Sequence, residues 1–275
     1  MAFPFPAFRP IACLHEGDHG EVWRVEDADG QPHVLKFLTT DDPAIHAGLL
    51  HEARLHGMVR HGAVARLHEV VDNDADQVGL LMEWIDGPCL ADRLADGPIP
   101  LGEALRIFEA VVRGVRAMHA RGVVHRDLKP ENIVLRPSEG GDRPVLLDFG
   151  LAKRLPMDGV SRTEQGMSQW FTTLGTPEYM APEQAQDPGE VDERADVFSL
   201  GCLLYELLTG HVAFDAEDPD EAMAATAAGR FVAVEDLVAV PERLSTLVRD
   251  LLAVDREKRP PHCTAILRRL DGSHG

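Results

Sequence analysis

Asp86-Gly87-Pro88 divides this chain into two stretches with different patterning. Before it lie short β-favouring runs at 10–14, 21–26 and 33–38, separated by turn signals such as Asp29-Gly30. A helix is expected over 44–59, then two more strands at 66–71 and 79–84. After it the pattern is helical. Apolar residues at 104, 105, 107, 108, 111, 112, 115 and 118 form the stripe of a buried amphipathic helix over 101–120. Residues 194–208 are apolar nearly all round and read as a central helix, with amphipathic helices at 241–254 and 264–270. Residues 154–173 are polar and aperiodic, a loop of a length that is usually functional or disordered. With 275 residues the chain can build two lobes, and no internal repeat suggests anything else. The expected class is α+β: a small β-rich unit over 1–86 and a larger helical unit over 87–275.

The net charge of −19 speaks against nucleic acid or an anionic membrane as a partner, since both attract a basic face. Its plainest reading is a solvated acidic surface that keeps the protein soluble, with a basic protein substrate as the weaker alternative. Cys13, Cys89, Cys202 and Cys263 have neither metal nor redox spacing, and free thiols suit a reducing cytoplasm. The N-terminus, with Phe3-Pro4-Phe5-Pro6, has no basic segment followed by an apolar run, so no signal peptide is expected. No apolar stretch is long enough to span a bilayer. The expectation is a cytoplasmic protein without a membrane partner. His46, His51, His56 and His61 recur every five residues, which on a helix sets successive rings about 140° apart, so they cannot share a metal.

The chemistry concentrates in His125-Arg126-Asp127-Leu128-Lys129-Pro130-Glu131-Asn132 and, sixteen residues on, Asp148-Phe149-Gly150. The first run puts an acid, a lysine and an amide on one short loop; the second adds an acid and a glycine. Phosphoryl transfer needs such groups: a carboxylate for a hydroxyl proton, a cation for the moving phosphoryl group, and oxygen ligands for magnesium. These runs resemble the signature of the eukaryotic-type serine/threonine protein kinases, in the form that bacteria also use, and the resemblance spans about residues 8–270.

The resemblance implies a two-lobed kinase fold and assigns roles. Asp127 would accept the hydroxyl proton, Lys129 would neutralise the moving phosphoryl group, and Asn132 and Asp148 would bind Mg²⁺, or Mn²⁺ in its place. The run 14–22 resembles the glycine-rich loop over ATP; Gly17 and Gly20 match two of its glycines, while His15 replaces the first and weakens the phosphate grip. Lys36 would hold the α and β phosphates and pair with Glu52. Adenine would lie between Leu14, Val22 and Val34 on one side and Val134 on the other, with Met82 as gatekeeper and the backbone of Glu83 and Ile85 as the hinge. Lys129 and Thr176 are of the serine/threonine form. Glu183 would pair with Arg259, and Asp196 would anchor the catalytic loop.

Regulation follows from Arg126, a cation beside the catalytic acid that wants an anion. With Lys153 it would form a pocket for a phosphate added by the chain to itself at Thr172 or Thr173. Cys89 is expected at a helix start, which lowers a thiol pKa, and so to be the most readily alkylated cysteine, with ATP slowing the reaction. His56 falls where the family usually has an apolar residue; the expectation is that its polar ring loosens the joint between lobes.

Overall fold

The computed structural model describes residues 3–73, 77–149, 152–154, 177–187, 189–216 and 218–272. The N-terminal lobe is a five-stranded antiparallel sheet in the order β1-β2-β3-β5-β4, made of β1 (Arg9–Glu16), β2 (Gly20–Glu26), β3 (Pro32–Leu38), β4 (Leu67–Asp72) and β5 (Val78–Glu83). Helix α1 (Pro43–Met58) lies between β3 and β4. Asp42 starts it by accepting the Ala44 N–H at 2.9 Å, and Pro43 occupies the first turn, where no amide partner is needed.

Side chains alternate across β3 with period two. Leu35 and Phe37 point to one face, while Val34, Lys36 and Leu38 share the other. The second face meets α1 through Leu38, Leu49, Ala53 and Leu80. The first face is covered by the chain's own N-terminal segment. Phe5 is buried with Val25, Leu35, Phe37 and Leu81, and Phe3 packs edge-on against Trp23 with ring centres 5.4 Å apart. Asn73 Nδ2 donates to the Pro4 carbonyl at 2.9 Å and fixes the segment. Phe3-Pro4-Phe5 is thus part of the lobe's core, a role that its lack of periodicity concealed.

The C-terminal lobe is helical. Its core joins α3 (Leu101–His119), α5 (Arg194–Thr209), α8 (Glu242–Leu251) and α9 (Cys263–Asp271). Shorter helices α2 (Leu90–Ala95), α4 (Pro182–Gln186), α6 (Pro219–Ala228) and α7 (Val234–Leu237) surround it. The stripe read from the sequence is the buried face of α3, with Ala104, Ile107, Phe108, Val111, Val112, Val115 and Met118 inside. Two small hairpin-like pairs carry the functional loops: β6 (Val123–Val124) with β9 (Lys153–Arg154), and β7 (Ile133–Arg136) with β8 (Arg143–Leu146).

Gly87 sits where the strand lobe meets β7. A Cβ there would lie 2.0 Å from the Leu135 carbonyl oxygen, so only glycine allows the approach that lets Leu135 N–H donate to Pro88 at 2.9 Å. Among the described residues no helix is long and apolar enough to cross a membrane.

Candidate active site

The face of β3 that carries Lys36 meets the face of α1 that carries Leu49, Glu52, Ala53 and His56, spaced by three and four residues. Lys36 Nζ therefore reaches Glu52, at 2.8 Å from Oε1 and 2.9 Å from Oε2, and also Asp148 Oδ1 at 3.1 Å. Burial opposes the charge on Lys36, but Asp148 and Glu52 outweigh it and raise its pKa, so it stays cationic. Burial pushes Glu52 upward against the pull of Lys36.

The loop 125–132 runs between β6 and β7, and its last three residues form a 3₁₀ turn, Pro130–Asn132. Asn132 Nδ2 donates to the Asp127 carbonyl at 2.8 Å and to Asp127 Oδ2 at 2.9 Å. Lys129 Nζ lies 3.4 Å from the same carboxylate oxygen. Leu147 N–H donates to the Asn132 carbonyl at 2.8 Å, which sets Asp148 beside Asn132 in chain register. Lys36, Glu52 and Asp148 thus form one contact group and Asp127, Lys129 and Asn132 another, and the Leu147–Asn132 backbone bond holds the two side by side.

Arg126 and Asp148 both adopt left-handed backbone, at φ 70° and 50°. Such a conformation costs a non-glycine residue about 1–3 kcal/mol and persists only when its surroundings hold it. At Arg126 they do so from both sides. Its N–H donates to Asp196 Oδ1 at 2.8 Å, and its carbonyl accepts from Gln184 Nε2 at 2.9 Å. Asp196 Oδ2 also accepts the His125 N–H at 2.8 Å. Bonds to these amides and to His119 outweigh the effect of burial and keep the Asp196 carboxyl below its ordinary pKa. Burial lowers the Arg126 pKa to about 10, with Asp196 opposing.

Over the cleft, Gly17 N–H donates to Gly20 O at 2.9 Å and closes the turn between β1 and β2. A Cβ on Gly20 would lie 2.5 Å from the Phe37 carbonyl oxygen. Val22 pairs with Lys36, and Val34 with Met82, so these apolar residues flank the lysine in the sheet. Leu14 is exposed on β1. Val134 and Ile85 pack in one small cluster from opposite lobes. The Glu83 N–H already donates to the Arg66 carbonyl at 2.8 Å, so a hinge contact at Glu83 falls to its carbonyl. Asn132 has committed its amide nitrogen to Asp127, which leaves its oxygen, with the Asp148 carboxylate, as hard donors of the type that Mg²⁺ takes. Gly150, Thr172, Thr173, Thr176 and the side chain of Lys153 lie outside the described residues.

Two expectations change. The His56 ring is stacked on Phe149 with centroids 4.2 Å apart and planes 11° apart, and its Nε2 lies 2.6 Å from the Ala65 carbonyl. The ring fastens the Phe149 side chain between α1 and the segment before β4; it does not loosen the joint. His56→Ala is expected to destabilise the domain by about 1–3 kcal/mol, an aromatic stack plus a hydrogen bond. His56→Leu, which keeps an apolar contact with Phe149, should cost less. Equal unfolding temperatures for wild type and His56→Ala would contradict this.

Cys89 does precede α2, but its thiol points inward, 3.4 Å from the Pro130 carbonyl and 3.5 Å from that of Glu131. Burial raises its pKa, with the α2 amides opposing. Cys13 is exposed, while Cys202 and Cys263 are buried. The expected order of alkylation is therefore Cys13 before Cys89, read by peptide mass spectrometry at limiting reagent; faster labelling of Cys89 would restore the helix-terminus argument.

Sequence reasoning missed several groups. Gln184 clamps the Arg126 carbonyl. Tyr179 O–H donates to Glu206, and burial raises the pKa of both groups. His119 Nε2 lies 2.8 Å from Asp196 Oδ2. A polar residue within an apolar helical stripe was the available signal for Glu206, and a histidine ending one was the signal for His119. The paired Glu183 and Arg259 were legible: Arg259 donates to both carboxylate oxygens, at 2.6 and 2.8 Å.

Comparison with known proteins identifies the family. The protein kinase domain model matches residues 8–269. The serine/threonine-protein kinase pkn2 of Myxococcus xanthus is 36% identical over 97% of this chain, which covers 32% of that protein. Pkn1 of the same organism is 36% identical over 77% of the chain, covering 30% of that protein. PknB of Mycolicibacterium smegmatis is 34% identical over 68% of the chain, covering 29% of that protein. The chain thus spans about a third of the length of these curated relatives. With the domain model matched across nearly its whole length and with such relatives, the chain belongs to the protein kinase family, of the serine/threonine type.

Proposed function

We propose that this domain transfers the γ-phosphoryl group of Mg-ATP to serine and threonine hydroxyls of protein substrates. The observation that supports the reading is the pair of contact groups, Lys36 with Glu52 and Asp148, and Asp127 with Lys129 and Asn132, joined by the Leu147–Asn132 backbone bond. Lys36, held in place by Glu52, is the cation for the α and β phosphates. Asp127 orients the acceptor hydroxyl and takes its proton, and Lys129 beside it stabilises charge on the moving group. Asn132 and Asp148 are the oxygen ligands available to Mg²⁺, which when bound neutralises phosphate oxygens; Mn²⁺ fits the same donors. Adenine lies against Leu14, Val22, Val34 and Val134, with Met82 at the back and the backbone of Glu83 and Ile85 at the edge. The division at residues 86 and 87 makes the cleft an interlobe one. Substrates are proteins, for which the charge of −19 is compatible with basic sequences, and the domain works in the cytoplasm without binding nucleic acid or membrane.

Arg126 is a partly buried cation that lies next to the catalytic acid, and a phosphate on Thr172 or Thr173 would neutralise it together with Lys153. Thr176 serves the acceptor side of the site. Incubation with ATP and Mg²⁺ followed by phosphopeptide mapping tests the reading. Phosphate on serine and threonine of an added protein is expected, with Thr172 or Thr173 the first site in the chain. Phosphate on tyrosine alone would overturn the substrate class, and an unmodified 161–173 segment would overturn the activation step.

A further inference from the structure

Between α3, α5 and α9 lies a row of three side chains that phosphoryl transfer does not use directly. Cys263, the first residue of α9, places its sulfur 3.6 Å from His119 Nδ1. His119, the last residue of α3, places Nε2 2.8 Å from Asp196 Oδ2. Asp196 holds the His125 and Arg126 amides, one on each oxygen. Cys263 is 1% exposed and Asp196 is 0% exposed, so both ends of the row are shielded from solvent.

The weak point of such a row is the imidazole. Its Nε2 supports Asp196 only while the ring keeps its orientation, and that orientation is set by whatever engages the other nitrogen. Two groups face Nδ1. Glu193 Oε2 lies 3.4 Å away, but its side chain is 34% exposed. The Cys263 sulfur is fixed in the core. Burial disfavours a charge on His119, yet the bonds to Asp196 and then to Cys263 raise its pKa to about 10. The ring is therefore held from both sides, with a carboxylate at Nε2 and a sulfur at Nδ1.

We infer that Cys263 is a positioning residue for the catalytic loop: through His119 it steadies Asp196, and through Asp196 the left-handed peptide that aims Asp127. This rests on the reading of Asp127 as the base of phosphoryl transfer. The residues are 144 and 77 positions apart in sequence, so the device spans three helices.

The test compares wild type with Cys263→Ala and Cys263→Ser, and with Cys202→Ala as a control that removes a buried thiol from the same core. Cys263→Ala should lower kcat roughly fivefold, about one hydrogen bond's worth, with KM for ATP unchanged. Cys263→Ser, whose hydroxyl can accept from Nδ1, should recover most of the loss. Cys202→Ala should leave kcat as it is. Independently of activity, the His119 ring nitrogen resonances should move in Cys263→Ala, and exchange of the His125 and Arg126 amides should quicken. Should the alanine variant fail to fold, Cys263→Val, which fills the same space without a polar atom, supplies the same resonances and exchange rates. Unchanged kcat with unchanged resonances overturns the inference, as does an equal loss in Cys202→Ala. An inactive wild type would instead overturn the proposed function, and the resonances and amide exchange would still decide the role of Cys263.

Discussion

Arg259→Ala should cost this domain about 3–5 kcal/mol of stability, the penalty for leaving a buried charge without its partner. The Arg259 side chain is fully buried. Besides the two bonds to Glu183, it donates to the carbonyls of Ala253 at 2.7 Å, Arg194 at 2.8 Å and Val254 at 3.2 Å. Its guanidinium also lies 4.9 Å from the Phe198 ring centre. One side chain thus ties the start of α4 to the start of α5 and the end of α8. Removal leaves the Glu183 carboxylate and three carbonyls without their donor, and α4 carries Gln184, which holds the Arg126 carbonyl. Catalysis should therefore fall along with stability. The double variant Glu183→Leu, Arg259→Met should be more stable than the sum of the two single losses predicts, because the residues share one network. Chemical denaturation of the four proteins measures this. A loss below about 1 kcal/mol in Arg259→Ala, the range of an exposed pair, would contradict the account.

What the sequence revealed about the fold depended on distance along the chain. The stripe of α3 and the alternation of β3 are local periodicities, and both appeared within a residue or two of their observed bounds. Helix α6 has only Ala222 and Thr226 buried and so no stripe to recognise. The pair β7 and β8 is too short to stand out from the loops around it. The Phe3-Pro4-Phe5 segment has no period at all; its place is set by the apolar face of a sheet that the local sequence does not contain.

The candidate site divides in the same way. Lys36, Glu52, Asp127, Asn132 and Asp148 were legible because the chemistry needs those residue types in fixed runs. Leu14, Val22, Val34 and Val134 were legible only through resemblance, since an apolar residue in a strand has no chemical signature. His56 was singled out for the right position with the wrong consequence: its hydrogen bond to Ala65 and its stack on Phe149 exist only once α1 is docked. The row Cys263, His119 and Asp196 could not be seen, because its members meet only in the packed lobe.

The larger catalytic prediction concerns Asp127. Asn at this position keeps the shape and can still accept from Asn132 Nδ2, which now lies 2.9 Å from the carboxylate, so the loop should stand. What disappears is the negative charge that takes the hydroxyl proton and that pairs with Lys129. Loss of a positioned general base costs about 10²–10⁴ in rate. Asp127 touches the acceptor side of the reaction, so KM for ATP should change little while kcat collapses. A domain of this fold that served only as a binding scaffold would show no such contrast.

The most direct measurement is phosphate transfer from labelled ATP in the presence of Mg²⁺, wild type against Asp127→Asn, with both proteins shown to be folded. The account predicts label on serine and threonine with wild type and a fall of about 10²–10⁴ in the variant. No transfer by wild type, or equal transfer by the two proteins, would contradict it.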